Sequence, residues 1–463
     1  MTGMTAQVFC LRYLFGMPTA ALQMYRADDS GFHEKPAPQS TVRPENRVDY
    51  YTHASLLAFT SGKHFSGFYR RWFKSFSARV QSFHELNDNW TQQPDLLAFF
   101  ERNFALAVVE ATCGTILERE NPNLAEDLAA YARYSPSLSK GLPRCFAPSA
   151  YAVRDKLFAN VKSWHKQAEK NFNPSSVDDD GDADPFWGSE FMRSRQKIFQ
   201  GFGGFDEDAA AASDLGFIWA LTYNIVPTAM WVVLEIHKEP ILRSTIRTEL
   251  KQEGLLGDIQ SDDIQKVLNL PRLQSVYAEC LRLYTQAVVP RETAQKVQIN
   301  GWEFPKGSTI VISTDVAQLD KAAWNTGIDN GHPIEKFWAE RFLSYPEDPN
   351  SGPIMKSSII QTGRVGGVQD ETQKCHANGP IFSEKTTVGH WIPYGGGARI
   401  CPGRHFAKRA IMTAAATMTS NFDIQILASE EQMKMDSRGY GLAAQRPVGR
   451  IPYRIKRWSE SRE

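Results

Sequence analysis

The sequence predicts a mainly α-helical fold with a small β-rich component. Three observations carry that expectation. Apolar residues recur three and four apart through most of the first 283 residues. After Pro290, short β-branched segments appear around Gly and Pro turns. Near the C-terminus a glycine-rich turn ends in Cys401 and runs into a renewed apolar helix.

Composition bounds the rest. The chain has 463 residues, 42% hydrophobic and 11% aromatic, which is enough for a large buried core. Lys plus Arg and Asp plus Glu number 52 each, so no global positive field points to nucleic acid. The cysteines, at 10, 113, 145, 280, 375 and 401, include no C-x-x-C pair, and a reducing compartment is the simplest reading. Val8 to Ala21 is mildly apolar, but Arg12 interrupts it and it is too short to span a bilayer. Phe217 to Ile236 is longer but contains Thr222, Asn224, Pro227, Thr228 and Glu235, so it is expected as a buried central helix.

Taken in order, residues 26–49 are polar and Pro-rich and read as a loop or extended arm. Tyr51 to about Leu128 is helical, with Phe68, Trp72 and Phe76 as one apolar stripe; Arg70, Arg71 and Lys74 beside it read as a solvated face, the alternative being a contact with a bound anionic group or a partner protein. The acidic run 173–185 lacks the ligand spacing and terminal Glu of a calcium loop, so it is expected as solvent-exposed acid. Helices resume from Trp187 to Leu283. Gly201, Gly203 and Gly204 interrupt them without an adjoining strand, which argues against a nucleotide-binding loop. Strands and turns follow over 296–313, then a mostly irregular stretch over 343–390. Helix returns over 402–420, and strand-like segments end the chain.

Cys401 is the candidate metal ligand. It sits two residues after Arg399 and at the start of the helix that begins near Gly403, and a cation and helix amides both favour a thiolate. Gly395, Gly396 and Gly397 let the backbone pass close to a flat ligand. The segment resembles the haem-binding signature of the cytochrome P450 family, Phe-x-x-Gly-x-Arg-x-Cys-x-Gly. Tyr394, Gly397, Arg399, Cys401 and Gly403 match it, with Tyr394 in place of Phe. The resemblance implies the cytochrome P450 fold, haem b (iron protoporphyrin IX), Cys401 as axial ligand and Arg399 on a haem propionate. It puts Tyr394 beside the sulfur, where its hydroxyl needs a partner if buried. Glu279-x-x-Arg282 and Arg341 of Phe337-Trp-Ala-Glu-Arg-Phe342 stand in the family's order. The resemblance makes them a buried charged network on the cysteine side, although a lone Glu-x-x-Arg pair is more often a surface pair. Val288 and Val289 fall where the family's chain approaches an apolar substrate. Residues 1–50 are expected as an N-terminal arm, a shortened form of the family's anchor and early strands, and 51–463 as a single haem-binding domain.

The oxygen-side helix departs from the family's usual Ala/Gly-Gly-x-Asp/Glu-Thr, because Trp219 to Trp231 contains no acid. The pattern resembles a minority branch that includes bile-acid 7α-hydroxylase and prostacyclin synthase, and many fungal secondary-metabolism members. Pro227 lacks an N–H, so a kink is expected where the carbonyl of Tyr223 loses its helical partner. Asn224 and Thr228 share a face and are the candidate catalytic residues, replacing the usual proton relay together with a water near Tyr223. The alternative is that Asn224 serves only the kinked backbone. The function implied is a monooxygenase acting on an apolar terpenoid, sterol or polyketide. Its electrons come from an NADPH–cytochrome P450 reductase, on the cytoplasmic side of the endoplasmic reticulum or free of it, with peripheral membrane contact and no clear transmembrane anchor. Two other readings are a haem isomerase or dehydratase acting on a peroxide without external electrons, and a non-catalytic haem or ligand carrier.

Overall fold

The computed structural model describes residues 4–83, 88–355 and 379–459. In chain order the helices are α1 (Met4–Tyr13), α2 (Thr19–Ala27), α3 (Val48–Phe59), α4 (Gly62–Gln81), α5 (Leu96–Cys113), α6 (Ile116–Glu120), α7 (Leu124–Leu138), α8 (Pro148–Asn171), α9 (Glu190–Gly201), α10 (Glu207–Thr222), α11 (Ile225–Lys238), α12 (Pro240–Gln252), α13 (Ile264–Leu268), α14 (Pro271–Tyr284), α15 (Thr314–Gln318) and α16 (Arg404–Asn421). The strands are short: β1 (Thr91–Gln93), β2 (Thr285–Glu292), β3 (Val297–Ile299), β4 (Trp302–Phe304), β5 (Thr309–Ser313), β6 (Leu343–Ser344), β7 (Ile381–Phe382), β8 (Phe422–Ile426), β9 (Leu442–Ala444) and β10 (Tyr453–Arg457). The mainly helical class with a small β component holds. Of the irregular stretch 343–390, residues 356–378 lie outside the described residues.

The chain forms two compact units. The first comprises 1–80, 101–223 and 290–312, and the second 81–100, 224–289 and 313–463. The first is built on α7, α8 and α10. The Tyr131 hydroxyl donates to the Leu14 carbonyl at 2.6 Å, and Trp219 Nε1 donates to Ser135 Oγ at 2.9 Å. Within residues 1–50, expected as an N-terminal arm, the chain supplies α1 and α2 to this unit, with Leu14, Ala21, Leu22 and Tyr25 buried. Phe68, Trp72 and Phe76 are buried as their spacing predicts, and the rings of Trp72 and Phe76 stack at 5.4 Å.

Two expectations for this unit are corrected. The acidic loop is not simply solvated, because Asp182 and Asp184 are buried. Asp178 Oδ1 accepts from the N–H groups of Asp182 and Ala183, and Asp184 Oδ1 accepts from those of Phe186 and Trp187. Arg71 is not a solvated face residue either. Its guanidinium donates to Asp182 Oδ2 at 2.7 Å and to the Ala111 carbonyl at 3.1 Å. Short acids that bond nearby N–H groups build turns, so this run is a structured corner closed by arginines.

The second unit packs α11 against α16 and α14. β10 lies between β1 and β8, antiparallel to both, with Thr91 opposite Ile455 and Ile455 opposite Ile424. β2 pairs antiparallel with β9, Thr285 opposite Ala444. Among the described residues one stretch, Glu207–Lys238, is long and apolar enough to cross a membrane, but its most apolar window is 72% buried inside the protein.

β5 stands at the edge of the sheet ordered β5-β2-β9, and it exposes Val311 (60%) and Ile312 (46%). An apolar free edge is a template for strand pairing between molecules. Val311→Lys is expected to reduce self-association seen by light scattering while shifting stability by no more than about 0.5 kcal/mol.

Candidate active site

The cysteine turn is built from backbone. Gly395 and Gly397 have φ of 71° and 73°, which residues with a Cβ rarely adopt. Residues Gly397–Arg399 form one 3₁₀ turn, and the Cys401 N–H donates back to the Tyr394 carbonyl at 3.1 Å. α16 then starts at Arg404 with Gly403 before it. The Ala407 N–H donates to the Gly403 carbonyl at 2.9 Å.

Burial pushes the Cys401 thiol above its ordinary value. The N–H of Gly403, the charge of Arg404 and the N–H of Arg404 pull the other way without overturning it. Arg404 is thus one cation that favours the thiolate. Arg404 also donates through Nη1 to the Cys401 carbonyl at 3.0 Å. Arg399 is half-buried at the end of the 3₁₀ turn.

Tyr394 has the partner its hydroxyl requires. Its oxygen meets the hydroxyl of Tyr277 on α14 in a short hydrogen bond. Burial raises both phenols well above their ordinary value. Nothing in the sequence around Tyr394 points to Tyr277, which lies 117 residues earlier. Tyr394→Phe is expected to cost about 1–3 kcal/mol, because it strands the buried Tyr277 hydroxyl. Denaturant unfolding of the purified protein measures it.

Glu279, Arg282 and Arg341 come together with their side chains fully buried. Arg282 Nε donates to Glu279 Oε2 at 2.7 Å and Nη2 to Oε1 at 2.8 Å, while Arg341 Nε reaches Oε1 at 2.9 Å. The Trp338 N–H adds a fourth donor at 3.2 Å. The remaining guanidinium N–H groups go to main-chain carbonyls: Arg282 to Gln318 and Ile334, Arg341 to Asn325 and Pro333. The pair is therefore a core bracket and not the surface pair that a lone Glu-x-x-Arg suggests.

At the start of α11 the expected kink is a two-residue turn, with Tyr223 and Asn224 both still in the right-handed helical region. α10 ends at Thr222, and Pro227 is the third residue of α11. The Thr228 N–H and hydroxyl both donate to the Asn224 carbonyl, at 3.3 and 2.8 Å. Asn224 Oδ1 accepts the N–H of Ala444, at 3.0 Å. Asn224 and Thr228 thus meet through main chain, and the Asn224 side chain is engaged by a strand that its sequence neighbourhood did not indicate.

The turn fits haem. A Cβ added at Gly396 or Gly397 would meet nothing within 4 Å, so the backbone there leaves room for a flat ring. Among the described residues no three His, Cys, Asp or Glu side chains gather as a cage for a bare ion. A porphyrin supplies ring nitrogens to its iron and asks this turn only for the Cys401 sulfur.

Comparison with known proteins gives the family. The cytochrome P450 family model matches residues 189–451. The chain is 36% identical over 375 residues to cytochrome P450 monooxygenase fsoE of Humicola fuscoatra, covering 80% of this chain and 63% of that protein. It is 31% identical over 468 residues to cytochrome P450 monooxygenase efuG of Hormonema carpetanum, covering 99% of this chain and 78% of that one. Cytochrome P450 monooxygenase calL of Penicillium decumbens is 27% identical over 89% of this chain and 71% of its own length. A solved cytochrome P450, CYP102L1, shares the fold with a TM-score of 0.59 at 17% identity, covering 95% of this chain and 84% of that one. The chain belongs to the cytochrome P450 family, with haem b as its cofactor and fungal monooxygenases among its relatives.

Proposed function

We propose that this chain is a haem–thiolate monooxygenase of fungal secondary metabolism. It inserts one oxygen atom from dioxygen into an apolar terpenoid, sterol or polyketide, with electrons from an NADPH–cytochrome P450 reductase. The cysteine turn carries this reading, because a half-buried sulfur faces helix amides and Arg404 beside a glycine backbone open to a flat ring. When bound, a thiolate-ligated haem supplies the oxidising chemistry by favouring O–O cleavage.

The protein's own residues then have distinct tasks. Cys401 would hold the haem iron, Arg399 would hold a propionate, and Gly397 and Gly403 shape the turn. Tyr394 supports the sulfur side and is held by Tyr277. Glu279, Arg282 and Arg341 brace the fold behind it. With Asn224 Oδ1 taken by Ala444, the Nδ2 donor is the end of that amide left for a proton relay. The Thr228 hydroxyl, its proton on the Asn224 carbonyl, offers lone pairs to the same relay. Val288 and Val289 bound an apolar ligand.

The test is expression with haem and a reductase, then product profiling against terpene, sterol and polyketide candidates. A thiolate-type spectrum of the reduced carbon monoxide adduct, with turnover requiring NADPH and dioxygen, is the expected result. Turnover of a peroxide without either would replace this reading with an isomerase or dehydratase. One observation favours that second reading: the first turn of α11 holds no acid.

A further inference from the structure

β5 is pinned along one edge. At its start the Thr293 N–H donates to the Ser308 carbonyl at 3.0 Å, and at its end the Ala287 N–H donates to the Thr314 hydroxyl oxygen at 2.9 Å. Ala287 lies in β2 and Thr293 directly follows it, so both pins stand on the β2 side. In the sheet ordered β5-β2-β9, β2 is the neighbour of β5, and among the described residues no strand covers its other edge. Native edges are commonly guarded by a charge, a proline or a bulge. Thr309–Ser313 contains no charged residue and no proline. Val311 and Ile312 are consecutive in a strand and so point to opposite faces, yet both are exposed. The free edge is thus unguarded on its rim and apolar on both faces.

The order of its residues says what fits there. Thr-Ile-Val-Ile-Ser reads nearly the same in both directions about Val311. Laid antiparallel against a copy of itself, the strand sets Thr309 opposite Ser313, Ile310 opposite Ile312 and Val311 opposite Val311. One face then carries a valine pair flanked by hydroxyl pairs, and the other carries two isoleucine pairs, all of them matched cross-strand contacts. The flanks are complementary too. Lys306 is exposed before the strand and Asp315 is half-exposed after it, so antiparallel pairing brings the lysine end of each copy to the aspartate end of the other. A two-fold axis at Val311 satisfies all of these at once, which is the self-complementarity that an isologous interface requires.

We infer that β5 is a docking edge for a second copy of this chain, paired antiparallel with Val311 on the two-fold axis. The two three-stranded sheets become one of six, in the order β9-β2-β5-β5-β2-β9. Strands of five residues make a contact at the low end of interface sizes, so the dimer forms with rising concentration and is not permanent. It does not depend on the haem–thiolate reading, because no residue of the cysteine turn takes part.

The test is sedimentation velocity of the full chain from about 1 to about 200 µM, a range that spans weak association. A discrete dimer that grows with concentration is expected. Val311→Lys and Val311→Glu each set like charges against one another on the axis, and each is expected to weaken dimerisation by about tenfold or more. Because position 311 faces itself, mixing the two variants is expected to restore a dimer holding one copy of each, a rescue that an off-axis contact does not give. Val311→Cys, in a Cys145→Ser background that removes an exposed thiol, is expected to cross-link to itself on mild oxidation. Directly opposed Cα atoms of an antiparallel pair lie about 4.5–5.5 Å apart, within reach of a disulfide. Thr309→Cys in the same background is expected to stay uncrosslinked, because its opposite number is Ser313. Circular dichroism checks the fold of each variant, and the two cysteine variants decide the matter should Val311→Lys not fold. A monomer at every concentration overturns the inference, and so does a dimer that survives Val311→Lys or a mixture of the lysine and glutamate variants that fails to associate. Binding to phosphatidylcholine vesicles that Val311→Lys removes, with no dimer in solution, would give the edge to a lipid surface instead.

Discussion

Cys401→Ser is expected to abolish the thiolate-type reduced carbon monoxide spectrum and to bring turnover to background, while the apoprotein stays folded. The serine hydroxyl nearly preserves volume and can keep the polar surroundings, but it does not ionise at neutral pH and cannot supply a soft anionic donor. The structure sharpens the expectation by naming what supports the sulfur. Burial alone favours the neutral thiol, and the opposing pull comes from the amides of Gly403 and Arg404 and from the Arg404 charge. Arg404→Gln removes that charge and the Nη1 bond to the Cys401 carbonyl. It is expected to weaken haem retention by about tenfold, the lower end of what loss of an outer-shell partner costs a metal site. Haem transfer to apomyoglobin measures the retention, and circular dichroism of both variants checks the fold.

Arg341→Ala is expected to destabilise the protein by about 3–5 kcal/mol, the cost of breaking a buried ion pair by deleting one member. The deletion leaves Glu279 with one cation where it had two, and it strips donors from the carbonyls of Asn325 and Pro333. Burial works to raise the Glu279 carboxyl, but attraction and hydrogen bonds from Arg282, then from Arg341, outweigh it and hold the group below its ordinary value. Burial likewise draws Arg341 below its own ordinary value, against the pull of Glu279. That value is so high that the guanidinium stays charged near neutrality. The sign of the pH effect follows from Glu279. A carboxyl depressed on folding contributes stability that is fully present above its unfolded pKa of about 4.3, and it loses that contribution as pH falls through the lower folded value. The gap between wild type and Arg341→Ala is therefore expected to be flat from neutrality to about pH 5 and to narrow in stronger acid. Urea titrations read by tryptophan fluorescence at several pH values measure it.

The sequence made the cysteine side legible because that side is local. A glycine turn, Cys401 and the start of α16 all fall within 391–404, and a Glu and an Arg three apart must share a helical face. Long-range pairings were not legible. Tyr277 for Tyr394, and Ala444 for Asn224, are separated by 117 and 220 residues, and neither polar atom announces its partner. β1 escaped notice because three residues show no periodicity, and β1 exists only through its pairing with β10. The acidic loop misled for a different reason. Composition alone marks it as solvated, whereas Arg71 and the local N–H groups make Asp182 and Asp184 part of the interior. Pro227 was readable as a local disturbance of the helix because its missing N–H is a covalent fact that tertiary context does not alter.

The paired hydroxyls of Tyr277 and Tyr394 constrain how this chain can vary. Each is the other's partner in a buried site, so changing either one to Phe strands the survivor, whereas changing both removes two polar atoms at once and leaves an apolar contact of nearly the same shape. The two positions are thus thermodynamically coupled, and a double-mutant cycle should return an interaction energy of about 0.5–3 kcal/mol. A lineage moving between Phe and Tyr at position 394 crosses a less stable intermediate unless position 277 changes with it. Among close relatives, Tyr at 394 should travel with Tyr at 277, and an alignment that shows them drifting separately would mean that another donor fills the gap.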